Sequence, residues 1–343
     1  MSLEKNTERV ELPALTSIVF TLIVIAGLAW YAVNAPSTRQ SVLLPREELS
    51  SQFSMLPRSH ASSVTVSDEE VLPAEGVRIP VKLRNLGPQL VEKGVIDEEK
   101  FLALYEGTPL LGEAKKLLES SDYGELVMTQ ENSPVVLNFL WALGLANKNP
   151  ILEEGEMMNP AYGGAGNFAS TGGWTIAKGD AMDHYSKYKL VSLTTEQQRL
   201  VDKVSSGIYR PCCNNSTRFP DCNHGMAMLG LLELLASQGA SEEEVYRVAL
   251  AVNSYWFPDT YITIAAYKQD QGVEWKDVDA KEVLGVDYSS ASGFAKIASQ
   301  VTASSKSSGG GGGCGVEQAP RQQSGCGVGE QTRAVRPQSG CGV

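Results

Sequence analysis

Apolar and polar positions along this chain fall into three regimes. From Ala14 to Val33 twenty residues pass without a charge, the length an α-helix needs to cross a bilayer. Between residues 76 and 303 apolar residues recur mostly at helical spacing, and after Ser304 the periodicity stops.

The first regime predicts a transmembrane helix over 14–34, preceded by a short segment, 1–13. Trp30 and Tyr31 sit at its end like an interfacial anchor. Pro36 and a core longer than a usual signal h-region argue against cleavage at Val33-Asn34-Ala35, so the span is read as a signal anchor. Lys5 and Arg9 before it match Arg39 and Arg46 after it, giving a tie in charge; the short leading segment places the large domain outside the cytoplasm. The expected location is the cell membrane, single-pass, with the membrane itself as a partner. Residues 35–75, rich in Ser, Pro and scattered charge, read as a flexible stalk that includes a solvated His60.

The second regime, 76–303, predicts a mainly α globular domain, long enough to bury a real core. One strand is expected at Val77–Leu83. Helices are expected at Gly87–Gly94, Asp97–Tyr105 with Asp97 as N-cap, Gly112–Ser120, Ser133–Ala146, Thr194–Ser206, Asp221–Gln238 with Asp221 as N-cap, Ser241–Tyr255 and Pro258–Gln271. Ser241 and Glu244 form a capping-box pattern after Gly239, which marks a tight helix–helix turn. Gly155–Gly179 interrupts the helices with glycine, asparagine and aromatics, and a loop of that size in a compact domain tends to be functional.

The third regime, 304–343, passes through five glycines and repeats G-C-G-V three times, ending at Val343. It reads as a disordered arm carrying exposed thiols at Cys314, Cys326 and Cys341.

Charge narrows the field. A formal net charge of -11 with no basic stripe speaks against nucleic acid as a partner. No Walker A loop, dinucleotide-binding glycine pattern, nucleophile elbow or H-E-x-x-H occurs. Paired carboxylates such as Glu242–Glu244 sit at helix starts and complement helix dipoles. No catalytic residue is identified.

Chemistry concentrates in Tyr209–Leu235, where Cys212, Cys213, Cys222 and His224 gather at an expected helix start. Unpaired backbone N–H groups and the helix dipole favour a thiolate there. Met226 and Met228 lie four residues after Cys222 and His224, on shared helix faces. Thiolate, imidazole and thioether together suit Cu(I), whereas thiolates and imidazole suit Zn(II). Iron is a weaker fit, because no familiar cluster spacing is present. A plainer reading makes the cysteines a structural disulfide, His224 a cap, and Met226 and Met228 core residues. Met157, Met158, Met182 and His184 are further soft donors, with Met182 and His184 favoured as ordinary amphipathic-turn residues. The tandem sequon at Asn214 and Asn215 is read as turn formers.

The leading expectation is therefore a membrane-tethered protein that binds or handles Cu(I) or Zn(II) at Cys212, Cys213, Cys222 and His224, its tail exchanging metal with a donor or acceptor. Two alternatives stand beside it. One is a thiol–disulfide oxidoreductase that uses the tail to pass electrons to a redox partner. The other is a disulfide-stapled adhesion module, homo-oligomeric through tail disulfides.

Overall fold

The computed structural model describes residues 68–307, with side chains described as far as Val301. In chain order the elements are α1 (Asp68–Val71), β1 (Val77–Arg84), α2 (Leu86–Glu92), α3 (Glu98–Ala103), α4 (Leu111–Glu119), β2 (Tyr123–Met128), α5 (Ser133–Ala146) and α6 (Pro150–Glu154). After a run of short 3₁₀ turns come α7 (Thr195–Gly207), α8 (Asn223–Ser237), α9 (Glu242–Trp256), α10 (Pro258–Asp270), α11 (Ala280–Val283), α12 (Val286–Ser289) and α13 (Ala291–Ser307). The domain is mainly helical, as its periodicity predicts.

The expectation of a single-pass membrane protein is corrected. Among the described residues no helix is long and apolar enough to cross a membrane. The most apolar helices, α5 and α8, have 14 and 15 residues, or roughly 21 to 23 Å at 1.5 Å per residue, short of the roughly 30 Å of a bilayer core. Their apolar surface is already covered by protein: 12 residues of α5 and 13 of α8 are buried, the pattern of helices at the centre of a globular core. The expected span, 14–34, lies outside the described residues, so no spanning helix is on hand to support a membrane partner or anchor. The stalk up to residue 67 and the tail from residue 308, with Cys314, Cys326 and Cys341, also lie outside them.

The sheet is a two-stranded antiparallel ribbon pairing Val77 with Met128, Ile79 with Leu126 and Arg84 with Tyr123. Its register shifts between Ile79 and Lys82, where Pro80 has no N–H to give a ladder. Ile79, Val81 and Leu83 point inward and are buried, with the period of two that predicts β1. The partner β2, unanticipated from sequence, holds Tyr123, Leu126 and Met128 in the core.

Helix ends follow local chemistry. Asp97 caps α3, Thr194 and Gln197 make a full capping box on α7, and Ser241 caps α9. At α8 the cap moves one residue: the helix begins at Asn223, and the N-cap is Cys222, not Asp221. Asp221 is drawn away by a buried arginine described below. The C-terminal helix α13, another element not predicted, starts against the cysteine loop and runs past Ser304.

The packing that positions everything else is the crossing of α5 and α8. Gly144 and Gly230 face each other there: a Cβ at Gly144 would sit 2.0 Å from the Met226 carbonyl oxygen, and one at Gly230 2.6 Å from that of Leu140. Backbone meets backbone, so no side chain can yield. Gly144→Ala should force the helices apart and cost at least 1–3 kcal/mol, as overpacking typically does; denaturant melts of the variant against the parent chain measure it.

A buried carboxyl sits on the same helix. Glu233 is fully enclosed, with Oε1 accepting from Asn149 Nδ2 at 2.5 Å, while its Oε2 and the nearby Asn147 Nδ2 have no partner of good geometry. Burial pushes its pKa up to about 8, against the lowering effect of the Asn149 and Asn147 amides. The folded pKa lies above the unfolded one, so the fold is penalised as the unfolded chain ionises. Stability from this group should be full below about pH 4.5, decline between there and about pH 8, and level off above, by up to about 5 kcal/mol. Glu233→Gln should flatten that slope in urea melts from pH 4 to 9; an unchanged slope would mean that Glu233 does not carry it.

Candidate metal and thiol centre

The segment from Tyr209 to Asp221 is held by the elements around it. Thr217 N–H donates to the Ile208 carbonyl at 2.8 Å, Tyr209 N–H to Leu284, and Arg218 N–H to Ser205. Ala291 N–H, opening α13, donates to the Cys213 carbonyl at 2.8 Å, and Ser292 N–H to Asn214 Oδ1 at 2.9 Å. From the other side, Ser170 N–H of the glycine-rich segment donates to the Asp221 carbonyl at 3.1 Å. That segment is itself pinned: Trp141 Nε1 donates to the Ser170 carbonyl and Trp174 Nε1 to that of Val95, and Tyr162 and Phe168 pack on Phe219. Its role here is a wall beside the cysteines.

At the centre lies Arg210, only 1 % exposed. Its Nε donates to Cys222 Sγ at 2.9 Å, Nη1 to the Asn215 carbonyl at 3.0 Å, and Nη2 to the Phe219 carbonyl at 2.9 Å and to Asp221 Oδ1. Asn215 Nδ2 holds the second carboxylate oxygen of Asp221 at 2.9 Å. A guanidinium is tolerable at such depth only when its N–H groups are matched this way. The room for it exists because residue 225 is glycine; a Cβ there would lie 2.5 Å from Arg210 Cζ.

Around this cation the three described cysteines are free: Cys212 exposed, Cys213 and Cys222 half-buried. Cys222 Sγ lies 3.4 Å from Cys212 Sγ and accepts from Gly225 N–H at 3.4 Å as the helix cap. Cys213 Sγ faces the Asn215 carbonyl at 3.9 Å. One ring nitrogen of His224, Cys212 Sγ and Cys222 Sγ all lie within 4.8 Å of one another, as do Cys213 Sγ, Cys222 Sγ and an Asp221 oxygen. The His224 ring is braced by Phe257 at 4.4 Å and Trp256 at 5.8 Å between centroids.

These contacts divide the sulfurs into two kinds. Cys222 is held well below the usual thiol range, first by hydrogen bonds from the Cys212 and Cys213 thiols, then by the Arg210 charge and His224, all outweighing burial. Cys212 is pushed up, chiefly by its hydrogen bonds to Cys213 and Cys222. Cys213 reaches about 11: the hydrogen bond from Cys212 lowers it, but the one to Cys222 and burial raise it more. The three sulfurs titrate as one coupled set in which negative charge is favoured at Cys222 over Cys212 and Cys213.

Cys212, Cys222 and His224 thus come together, and Cys213 joins Cys222 and Asp221 in a second group that shares Cys222. Met226 and Met228 are buried in the core at 0 % and 1 % exposure. His184 spends both ring nitrogens elsewhere, on Tyr188 Oη at 3.1 Å and the Lys178 carbonyl at 2.9 Å, and Met182 lies against Gly166. Sequence reasoning missed Arg210 and the role of Asp221. The only signal was an arginine two positions before a vicinal cysteine pair, and its burial cannot be read from spacing. A separate groove of about 680 Å³, lined by Tyr246, Leu250 and Trp275 among others, includes none of these residues.

Compared with known protein families, with curated proteins and with solved structures, the chain showed no match.

Removing Arg210 should unfold the site from within. Arg210→Met would leave Asp221 and the Asn215 and Phe219 carbonyls without their donor, a loss of about 3–5 kcal/mol for a broken buried pair. Thermal melts measure that loss. Titration of Cys222 by its 240 nm thiolate absorbance should show a raised pKa in whatever fraction stays folded.

Proposed function

We propose that the chain binds a thiophilic metal ion, Zn(II) or Cu(I), with Cys212, Cys222 and His224 as ligands and Cys213 as the fourth. The observation that carries this reading is the convergence of two sulfurs and an imidazole nitrogen within 4.8 Å. Zinc–sulfur bonds of about 2.3 Å in a tetrahedron put sulfurs about 3.8 Å apart; the 3.4 Å between Cys212 and Cys222 is close to that span. Three thiolates and one imidazole form a closed zinc set. With Met226 and Met228 in the core, the thioether ligands that would favour copper are not at the surface of the site, so zinc moves ahead of Cu(I) in this reading.

Arg210 adds to the argument. Three thiolates carry one charge more than Zn(II) neutralises, and a guanidinium already at 2.9 Å from Cys222 Sγ balances it. Metal binding displaces the thiol protons of Cys212 and Cys213, so affinity should rise with pH.

Exchange of the metal with other thiols belongs to the same proposal, because Cys212 is exposed and open to an incoming ligand. The chain's own later cysteines are such ligands. α13 leaves the site at Ala291 and ends at Ser307, about 25 Å on. Covalent geometry lets Cys314, seven residues further, lie at most about 25 Å beyond Ser307, and Cys326 about 65 Å. Cys314 can therefore barely return to the site, while Cys326 and Cys341 have ample length.

Purified anaerobically, the chain should hold about one zinc or copper per molecule by elemental analysis, or take up one when the metal is added under reducing conditions. Cys222→Ser and His224→Ala should each weaken it at least 10-fold, whereas Met226→Leu should leave the stoichiometry unchanged. A reduced, folded chain that retains no added metal would overturn the proposal.

A further inference from the structure

The contact between Cys212 and Cys222 also permits a reaction that needs no metal. Their sulfurs touch at 3.4 Å, and a disulfide needs about 2.05 Å, so about 1.4 Å of approach joins them. The backbone on either side is fixed by the hydrogen bonds of Ala291 to Cys213 and of Ser170 to Asp221. Closure therefore falls to the exposed side chain of Cys212. Cys222 cannot swing away as easily, because Arg210 Nε and Gly225 N–H hold its sulfur. Cys213 Sγ also lies within 4.8 Å of Cys222 Sγ, but it is directed at the Asn215 carbonyl at 3.9 Å, whereas Cys212 Sγ is in contact with Cys222 Sγ.

We infer that Cys212 and Cys222 form a reversible two-electron dithiol couple, oxidised by hydroperoxides, in which Cys213 stays reduced. This activity goes beyond metal binding and does not depend on it. The Cys222 thiolate sulfur attacks one peroxide oxygen; the O–O bond breaks, a sulfenic acid forms on Cys222, and the other oxygen leaves as hydroxide that becomes water by taking from solvent the proton Cys222 gave up on ionising. The Cys212 thiol then attacks the sulfenic sulfur, the S–S bond forms, and the hydroxyl departs as a second water. The sum is two thiols and one hydrogen peroxide giving one disulfide and two waters. Two equivalents of a small thiol reverse it by exchange through the exposed Cys212 sulfur. If the site carries a metal as proposed above, the same step removes two of its ligands and releases it.

The test uses the full chain, fully reduced and metal-free, exposed to one equivalent of hydrogen peroxide, alkylated and digested without reductant. Mass spectrometry should find the Cys212 and Cys222 peptides joined, two of the six thiols lost, Cys213 alkylated, and full recovery of thiols with dithiothreitol. A Cys212–Cys213 linkage, a linkage to Cys314, Cys326 or Cys341, or Cys222 advancing to sulfinic acid with no linkage would each overturn the inference. As a second variant, Cys212→Ser should accumulate a dimedone-reactive sulfenic acid on Cys222, and absence of the adduct in folded protein would count against the stated order of attack. Zinc-loaded chain provides the remaining arm: peroxide should free the zinc at the rate the linkage appears. A chain that takes up no zinc still forms the linkage, so failure of the metal reading and failure of this one give different results.

Discussion

The close crossing of α5 and α8 is the constraint from which the rest of this domain is built. Two helices can bring their backbones into van der Waals contact only where neither carries a side chain, and Gly144 and Gly230 provide that place. Close approach makes dense contact along both helices, and Leu140, Leu143, Leu231 and Leu234 beside the glycines are all buried. The ribbon, α7 and α9 then pack around this pair. Because α8 is fixed along its length, its N-terminal end is fixed as well, and that end carries Cys222 and His224.

The site begins where that rigid helix meets an irregular loop, and one buried cation organises the transition. Arg210 gathers two carbonyls, a carboxylate and a sulfur as acceptors around its planar set of N–H donors, which determines how the loop folds. It also explains the helix cap. Asp221 would be the better N-cap by intrinsic preference, but a carboxylate is the stronger partner for a desolvated guanidinium. The cap role passes to Cys222, whose sulfur thereby gains Gly225 N–H as well as Arg210 Nε. A sulfur with two such donors is suited to negative charge, and so to both metal ligation and nucleophilic attack. Competition between those two roles is a chemical property of the cluster: the sulfur electrons that would bind the metal are the ones that oxidation withdraws.

Around the cluster, the glycine-rich segment supplies a wall through Ser170, Phe168 and Tyr162, and α13 supplies a floor through Ala291 and Ser292. Neither contributes a sulfur or an imidazole. They hold the loop still, and a ligand set held still before binding loses less entropy on binding.

From the sequence alone, periodicity determined most of the helices and β1, because apolar spacing at 3.6 or 2 is imposed by each element's own geometry. The grouping of Cys212, Cys213, Cys222 and His224 was equally legible, since thirteen residues cannot carry them far apart. Hydropathy alone does not make a membrane signal: an uncharged run is compatible with a bilayer and with a protein interior alike, and among the described residues α5 and α8 show how apolar a helix becomes when protein covers every side. Tertiary structure alone decided the pairing of β2 with β1, the burial of Arg210, the transfer of the cap from Asp221 to Cys222, the retreat of Met226 and Met228 into the core, and the engagement of His184 elsewhere. Each of these depends on a partner distant in sequence or on competition among polar groups for the same donors. Such choices are settled only when the chain has closed on itself, because burial, which sets their energies, is a property of the whole fold.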